Sequence, residues 1–420
     1  MSLTALRAAF SAAHRPALPA PAAWPRRLLA ALALAAGLAG CATPAPETAG
    51  PTIQGTGDLG LVVERARGSL QLINTSRREA LGRIEGLGDL SHASLVYSRD
   101  GAHAYVFGRD GALTRVHLPS RRILARVQQS GNSIGGAISQ DGRLVAAQNY
   151  QPGGIKVFDA QTLKLVADIP AEYAPGRLSR VVGLADLPGQ RFIFSLFDAG
   201  EIWIADLADP AAPRITRLRD VGRQPYDALL TPDGRHYIAG LFGEDGLVKV
   251  DLWADTPRAE RILAGYGRGQ EPLPVFKMPH LRGWAIAGRH AYLPAIGRHE
   301  VLVVDTESWA EVGRIPVAGQ PVFVMARPDG RQVWVNFAVP DYDRVQVIDT
   351  QRRQVVHTLR PGKAVLHMEF TPRGEAVWIS ARDSNEVHVI ATDSFATLAR
   401  LPADAPSGIF FTSRALRMGF

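Results

Sequence analysis

Three histidines of this 420-residue chain stand at the same phase of a repeating unit. His92 precedes the apolar run Ala93-Ser94-Leu95-Val96-Tyr97, and His280 precedes Leu281-Arg282-Gly283-Trp284-Ala285-Ile286. His367 lies within Val365-Leu366-His367-Met368-Glu369-Phe370. A lone histidine is more often a hydrogen-bonding structural residue than a ligand, but three at matched phase change that balance. No HxxxH pair marks a zinc site. Cations fall nearby, at strand starts or in connecting loops: Arg65, Arg109, Arg177, Arg180, Arg223, Lys277 and Arg282. Any one of them reads as surface charge. Clustered guanidinium forks match carboxylates bidentately, so as a set they suit a polycarboxylate. Phe107, Tyr226, Phe276 and Trp284 offer apolar faces. A flat apolar body rimmed by acids, with iron offered to an imidazole, is a haem-like tetrapyrrole.

The elements that must position these groups are strands. From Gly55 onward, short alternating runs rich in Val, Ile, Leu, Phe and Tyr are broken by Gly, Pro and Asp. The runs repeat. Turns end in Gly101, Gly142, Gly189, Gly234, Gly288, Gly330 and Gly374, at gaps of 41, 47, 45, 54, 42 and 44 residues. A third run often ends on a carboxylate, as at Asp159, Asp206, Asp251, Asp305 and Asp349. Four strands in each such repeat make a β-propeller blade, because one sheet cannot bury both its faces and sheets therefore stack radially. Seven turn units are visible, and an eighth at Leu61 to Glu85 shows three strands. Ser407 to Thr412 reads as its fourth. The expectation is an all-β, eight-bladed β-propeller over residues 55–420, closed by pairing of the N- and C-terminal strands. Inner strands line the channel of such a ring, so same-phase side chains point into one volume.

Composition limits the partners. Charge is +7 overall, but all four basic residues before Cys41 lie in a stretch without acids, which leaves +3 for the remainder. That gives no reason to expect nucleic acid. Residues 1–40 read as a signal peptide: Arg26-Arg27, an apolar run from Leu28 to Leu38, then Leu38-Ala39-Gly40-Cys41. The last four resemble a bacterial lipobox, which implies cleavage before Cys41, lipidation there, and a periplasmic protein anchored to the outer membrane. Cys41 is the sole cysteine, so disulfides, CxxC pairs and c-type haem attachment are excluded. Residues 41–54 read as a flexible tether. Gly55-Thr56-Gly57-Asp58-Leu59-Gly60 fits G-x-G-x-x-G, but a strand rather than a helix is expected after it, so NAD is not expected.

Four stretches carry a family resemblance: GTGDLGLVVERARGSLQLINT, GLGDLSHASLVYSRDGAHAYVFGRDG, FSLFDAGEIWIADL and LHMEFTPRGEAVWIS. They resemble the NirF family of haem d1 biosynthesis proteins, from about Gly55 to near the C-terminus. That family is similar in turn to the eight-bladed d1-haem propeller of cytochrome cd1 nitrite reductase and to NirN dehydrogenases. The resemblance implies His92 as axial iron ligand, with Arg109 in Gly108-Arg109-Asp110-Gly111 as a contact to an acidic side chain. Arg65-Ala66-Arg67-Gly68 nominates Arg65 for the same role. Pro279-His280-Leu281-Arg282-Gly283 nominates His280 as a distal group, with Arg282 beside it. Tyr226-Asp227 stand where the reductase has its other distal histidine, which argues against nitrite reduction. Asp186 matches an acidic position of the family, and His367 has no reductase counterpart. The implied function is maturation of a late haem d1 precursor, with His92, His280, Tyr226, Asp227 and Asp186 as candidate catalytic groups. Arg65, Arg109, Arg177, Arg180, Arg282, Trp284 and His367, with His92, would hold the ring. The alternative is a non-catalytic carrier passing the tetrapyrrole to a NirN-type dehydrogenase or to the nitrite reductase. The sequence leaves open whether the chain is an enzyme.

Overall fold

The turn chemistry of the repeats explains where each blade folds back. In the first turn of the second repeat, Asp100 Oδ1 accepts the Ala102 N–H at 3.0 Å, and Gly101 sits at φ +67°. A residue with a Cβ is strained there, so glycine closes the turn. Asp141 and Asp233 accept the N–H two residues on in the same way, both at 3.0 Å. The recurring carboxylate at the end of the third strand has a local role too. Asp159 accepts the N–H of Gln161 and of Thr162 at 3.1 and 2.8 Å, and Asp305 accepts those of Glu307 and Ser308 at 3.1 and 2.8 Å. These aspartates cap the turn into the fourth strand.

The computed structural model describes residues 56–266, 284–295 and 298–419. The expected signal peptide and tether, Cys41, Phe276, Lys277, His280 and Arg282 lie outside them. The described residues form eight four-stranded antiparallel sheets. Their innermost strands are Pro406–Phe411, Ser94–Tyr97, Asn132–Ile138, Val181–Leu187, Pro225–Leu230, Ala285–Ala287, Pro321–Ala326 and Val365–Phe370. We number the blades 1 to 8 in that order. This is the eight-bladed propeller expected from the repeats. Strand order runs outward with the chain in blades 2 to 8. Blade 1 takes Leu59–Glu64, Ser69–Asn74 and Glu79–Ile84 from one part of the chain and Pro406–Phe411 from the other.

That closing strand pairs antiparallel with Leu59–Glu64, matching Gly60 to Phe411, Leu61 to Phe410 and Val62 to Ile409. Tyr97 of blade 2 donates its hydroxyl to the Phe410 carbonyl at 2.7 Å, and the Thr412 hydroxyl donates to the Leu59 carbonyl at 2.9 Å. The pairing leaves no free edge at the join. Second strands carry the large rings: Phe192, Phe194, Tyr237, Tyr292, Trp334 and Trp378 are fully buried between blades. Each such side chain contributes roughly 1.5–3 kcal/mol on burial. The run after the glycine motif, Leu59–Glu64, is a strand as expected. A short hairpin, Glu172–Ala174 paired with Arg177–Leu178, joins blades 3 and 4 and was not expected. Five residues of strand are too few to show a period of two.

Candidate functional site

An open cavity of about 280 Å³ lies on the axis. Seven blades reach its wall. Blade 1 gives Ser407, Gly408 and Phe410, blade 2 Ser94, Leu95 and Val96, and blade 3 Ile134, Gly135, Gly136 and Gln148. Blades 4, 5, 7 and 8 give Gly183 and Leu184, Asp227, Phe323, and Leu366 and His367. Arg65, from the turn between Leu59–Glu64 and Ser69–Asn74, and His92, just before Ser94–Tyr97, stand at one mouth.

The wall is made largely where the inner strands bulge. Register shifts fall between Val182 and Ala185, Pro225 and Ala228, Pro321 and Val324, and Val365 and His367. A bulge takes residues out of the ladder and re-aims their side chains. The residues so released are Gly183 and Leu184, Tyr226 and Asp227, Val322 and Phe323, and Leu366. Their backbone N–H groups need acceptors. Asn336 Oδ1 accepts from Phe323 N–H at 2.8 Å, and Gln148 Oε1 accepts from Leu184 N–H at 3.1 Å. The Ser380 hydroxyl accepts from His367 N–H at 2.9 Å. Polar residues in otherwise apolar second strands thus stabilise the bulges.

Electrostatics at this mouth are cationic with local compensation. Partial burial, and then Arg382 nearby, lower the Arg65 pKa from its ordinary value, while Asp89 and Asp383 oppose that. Arg65 makes no ion pair with another described residue. Hydrogen bonds from Ser91 hold Asp89 below the usual carboxylate range. The Arg109 guanidinium carbon lies 6.0 Å from the ring centroid of Tyr150, at the outer limit of a cation–π contact. Tyr150 and Tyr226 place their hydroxyls 3.2 Å apart. Burial pushes the Tyr226 phenol far above its ordinary value, and Asp227 and Tyr150 add to that shift. Tyr226 therefore stays protonated. Arg180 is paired with Asp198 at 2.6 Å and lies over Phe197, and Arg177 lies over Tyr173. Arg223 pairs with Glu244 at 3.7 Å.

The structure thus gathers His92, Arg65, Asp227 and His367 on one cavity, with Arg109, Tyr150 and Tyr226 close behind its rim. The His367 Nδ1 accepts the Ile409 N–H at 3.2 Å, so the neutral ring carries its hydrogen on Nε2. That nitrogen is a donor rather than a metal ligand. Asp186 is not at this end. It lies at the sixth position of Val181–Leu187, where it accepts the Gly419 N–H at 2.9 Å and meets Arg99 at 3.4 Å. Gln140 also donates to it. Five residues of strand, one of them taken up by the bulge, separate it from the start of the strand by roughly 13–17 Å. Trp284 packs in an apolar cluster with Tyr226 and Leu293, and Phe107 is fully buried beneath Gly136. Neither is on the described wall. Sequence reasoning passed over Gln148, Ser94, Gly183, Phe323 and Gly408. The signal available was Gln148-Asn149, a polar pair interrupting the buried strand Leu144–Gln151.

The cytochrome D1 heme domain family matches residues 54–415 of the chain. A protein named NirF from Pseudomonas aeruginosa is 59% identical over 384 residues, covering 91% of this chain and 96% of the relative. The NirF protein of Stutzerimonas stutzeri is 61% identical over 369 residues, covering 87% of this chain and 94% of the relative. Among solved structures, dihydro-heme d1 dehydrogenase NirN in complex with DHE superimposes with a TM-score of 0.75 at 27% identity. That match covers 88% of this chain and 78% of NirN.

Proposed function

Because the chain belongs to the cytochrome D1 heme domain family, we propose that it binds a late haem d1 precursor in the axial cavity and acts in its maturation. The observation that carries this reading is the cavity itself: a wall drawn from seven blades, with an imidazole and a guanidinium at one mouth. Wall glycines Gly135, Gly183 and Gly408 bring bare backbone to the ligand, which suits a flat ring. The relatives named NirF and the NirN complex with DHE support a tetrapyrrole of the d1 type.

His92 would present its imidazole to the iron, and Arg65 and Arg109 would hold acidic side chains of the ring through charge-assisted hydrogen bonds. Asp227, with the protonated Tyr226 and Tyr150 behind it, would hold or move a proton at the ring. A redox step in the maturation would use the iron of the bound ring together with an external electron acceptor. In this reading Cys41 is lipidated, the protein works in the periplasm at the outer membrane, and its product passes to a NirN-type dehydrogenase or to cytochrome cd1 nitrite reductase.

Mass spectrometry of the pigment after incubation with the protein and an electron acceptor tests the reading. A new tetrapyrrole mass with the intact protein, and none with His92→Ala, supports maturation. Recovery of the pigment unchanged, followed by its transfer to a NirN-type dehydrogenase, would make the chain a carrier. No change in the visible spectrum on mixing would contradict both.

A further inference from the structure

Gln148 carries a hydrogen-bond donor with a fixed direction and no acceptor among the described residues. It lies on the second strand of blade 3, and only 7% of it is exposed, toward the cavity. Its Oε1 accepts the Leu184 N–H at 3.1 Å, a group freed from the ladder by the bulge between Val182 and Ala185. An N–H can be met only by the amide oxygen, so the orientation of the side chain is settled and its NH₂ faces away from Leu184. No described residue accepts from that Nε2. The backbone is pinned as well, because Ser133 donates its hydroxyl to the Gln148 carbonyl at 2.7 Å. Ser94, also on the cavity wall, stands beside it. A Cβ added at Gly135 would lie 3.0 Å from Ser94 Oγ and 3.3 Å from Gln148 Nε2, so both groups flank the same glycine.

An amide NH₂ that faces the open cavity takes its acceptor from what fills the cavity, water or a ligand. Neither Gln148 nor Ser94 carries charge. A carboxylate gains more from the Arg65 guanidinium at the mouth of the same cavity than from two neutral donors. The acceptor that fits Gln148 is therefore a neutral carbonyl oxygen on the ring edge. We propose that Gln148, with Ser94 beside it, recognises such an oxygen and selects tetrapyrroles that carry one over those that do not. This rests on the reading that the cavity takes a tetrapyrrole. It also sets the rotation of the ring, with the carbonyl edge toward blades 2 to 4 and an acidic group toward Arg65 of blade 1.

Two iron porphyrins with the same propionates test this: iron protoporphyrin IX, and its analogue in which acetyl groups replace the vinyls. Affinities are read by absorbance titration of the full protein and of Gln148→Glu, which keeps an acceptor for the Leu184 N–H and removes the NH₂ donor. The wild type should prefer the acetyl compound by about fivefold, the worth of one net hydrogen bond. Gln148→Glu should lose that preference, read as the ratio of its two affinities. Resonance Raman of the wild-type complex should place a carbonyl stretch below its value for the free compound, and this decides the matter even if the variant fails to fold. Equal affinity of the wild type for both compounds, or a carbonyl stretch at its free value, overturns the proposal while leaving the cavity reading intact. Failure of both compounds to bind overturns both.

Discussion

At the scale of single residues, the roles proposed for His92 and Arg65 differ, and their variants should separate. Arg65→Gln removes a charge-assisted contact worth about 1.5 kcal/mol, so affinity for an acidic tetrapyrrole should fall roughly tenfold with the axial ligand intact. Absorbance titration would show a weaker Kd and an unchanged spectrum at saturation. Asp186 belongs to stability. Burial raises its pKa against the opposing pull of Arg99 and the Gly419 and Gln140 donors. A raised carboxyl pKa favours the fold fully below the unfolded value of about 3.9, and that contribution is lost as pH rises through the folded pKa. Asp186→Asn should therefore flatten the loss of thermal stability on raising pH above the ordinary carboxylate range, seen as Tm against pH. His92 drew notice because it precedes the first strand of a repeat, and Arg65 through the resemblance carried by Arg65-Ala66-Arg67-Gly68. Asp186 was nominated through the same resemblance, and a sequence does not show which end of the channel a strand residue reaches. Gln148 was missed for a related reason: it reaches the cavity from a second strand, through a bulge that alternation does not reveal.

At the scale of elements, the bulges of the inner strands decide the site. Gly183 shows how tightly. It sits at φ +62°, and an added Cβ would lie 2.7 Å from the Tyr237 hydroxyl and 2.9 Å from the Tyr226 carbonyl. Gly183→Ala should cost about 2–3 kcal/mol, from left-handed strain and overpacking together. The same change should weaken ligand binding, because the wall around Leu184 and Tyr226 would shift. Denaturant midpoints and ligand titrations on the same preparation check both. The strands themselves were readable, since apolar alternation and recurring glycine turns state period and boundary together. Bulges were not, because one inserted residue leaves composition unchanged and only cross-strand register records it. The hairpin at Glu172–Leu178 escaped for want of length.

At the scale of the whole molecule, closure is what turns eight sheets into one wall. The closing strand Pro406–Phe411 covers the edge of Leu59–Glu64, and the segment after it carries Arg414, whose buried pair with Glu369 is formed by Nε to Oε1 at 2.7 Å. Ending the chain at Ala405 should expose that edge and strand the Glu369 carboxylate, giving aggregation rather than a cooperative monomeric unfolding transition. Size-exclusion chromatography with thermal unfolding would detect it. The repeat count, the ring and its closure by the terminal strand could all be read in advance, because each is written in the spacing of turns. The central claim is narrower: the axial mouth holds a d1-type tetrapyrrole through His92. Titrating haem d1 or dihydro-haem d1 into the protein and into His92→Ala tests it most directly. The account predicts a saturable change in the visible spectrum of the pigment with the intact protein, and a different ligation signature with the variant. Identical spectra from the two proteins, or no change with either, would contradict it.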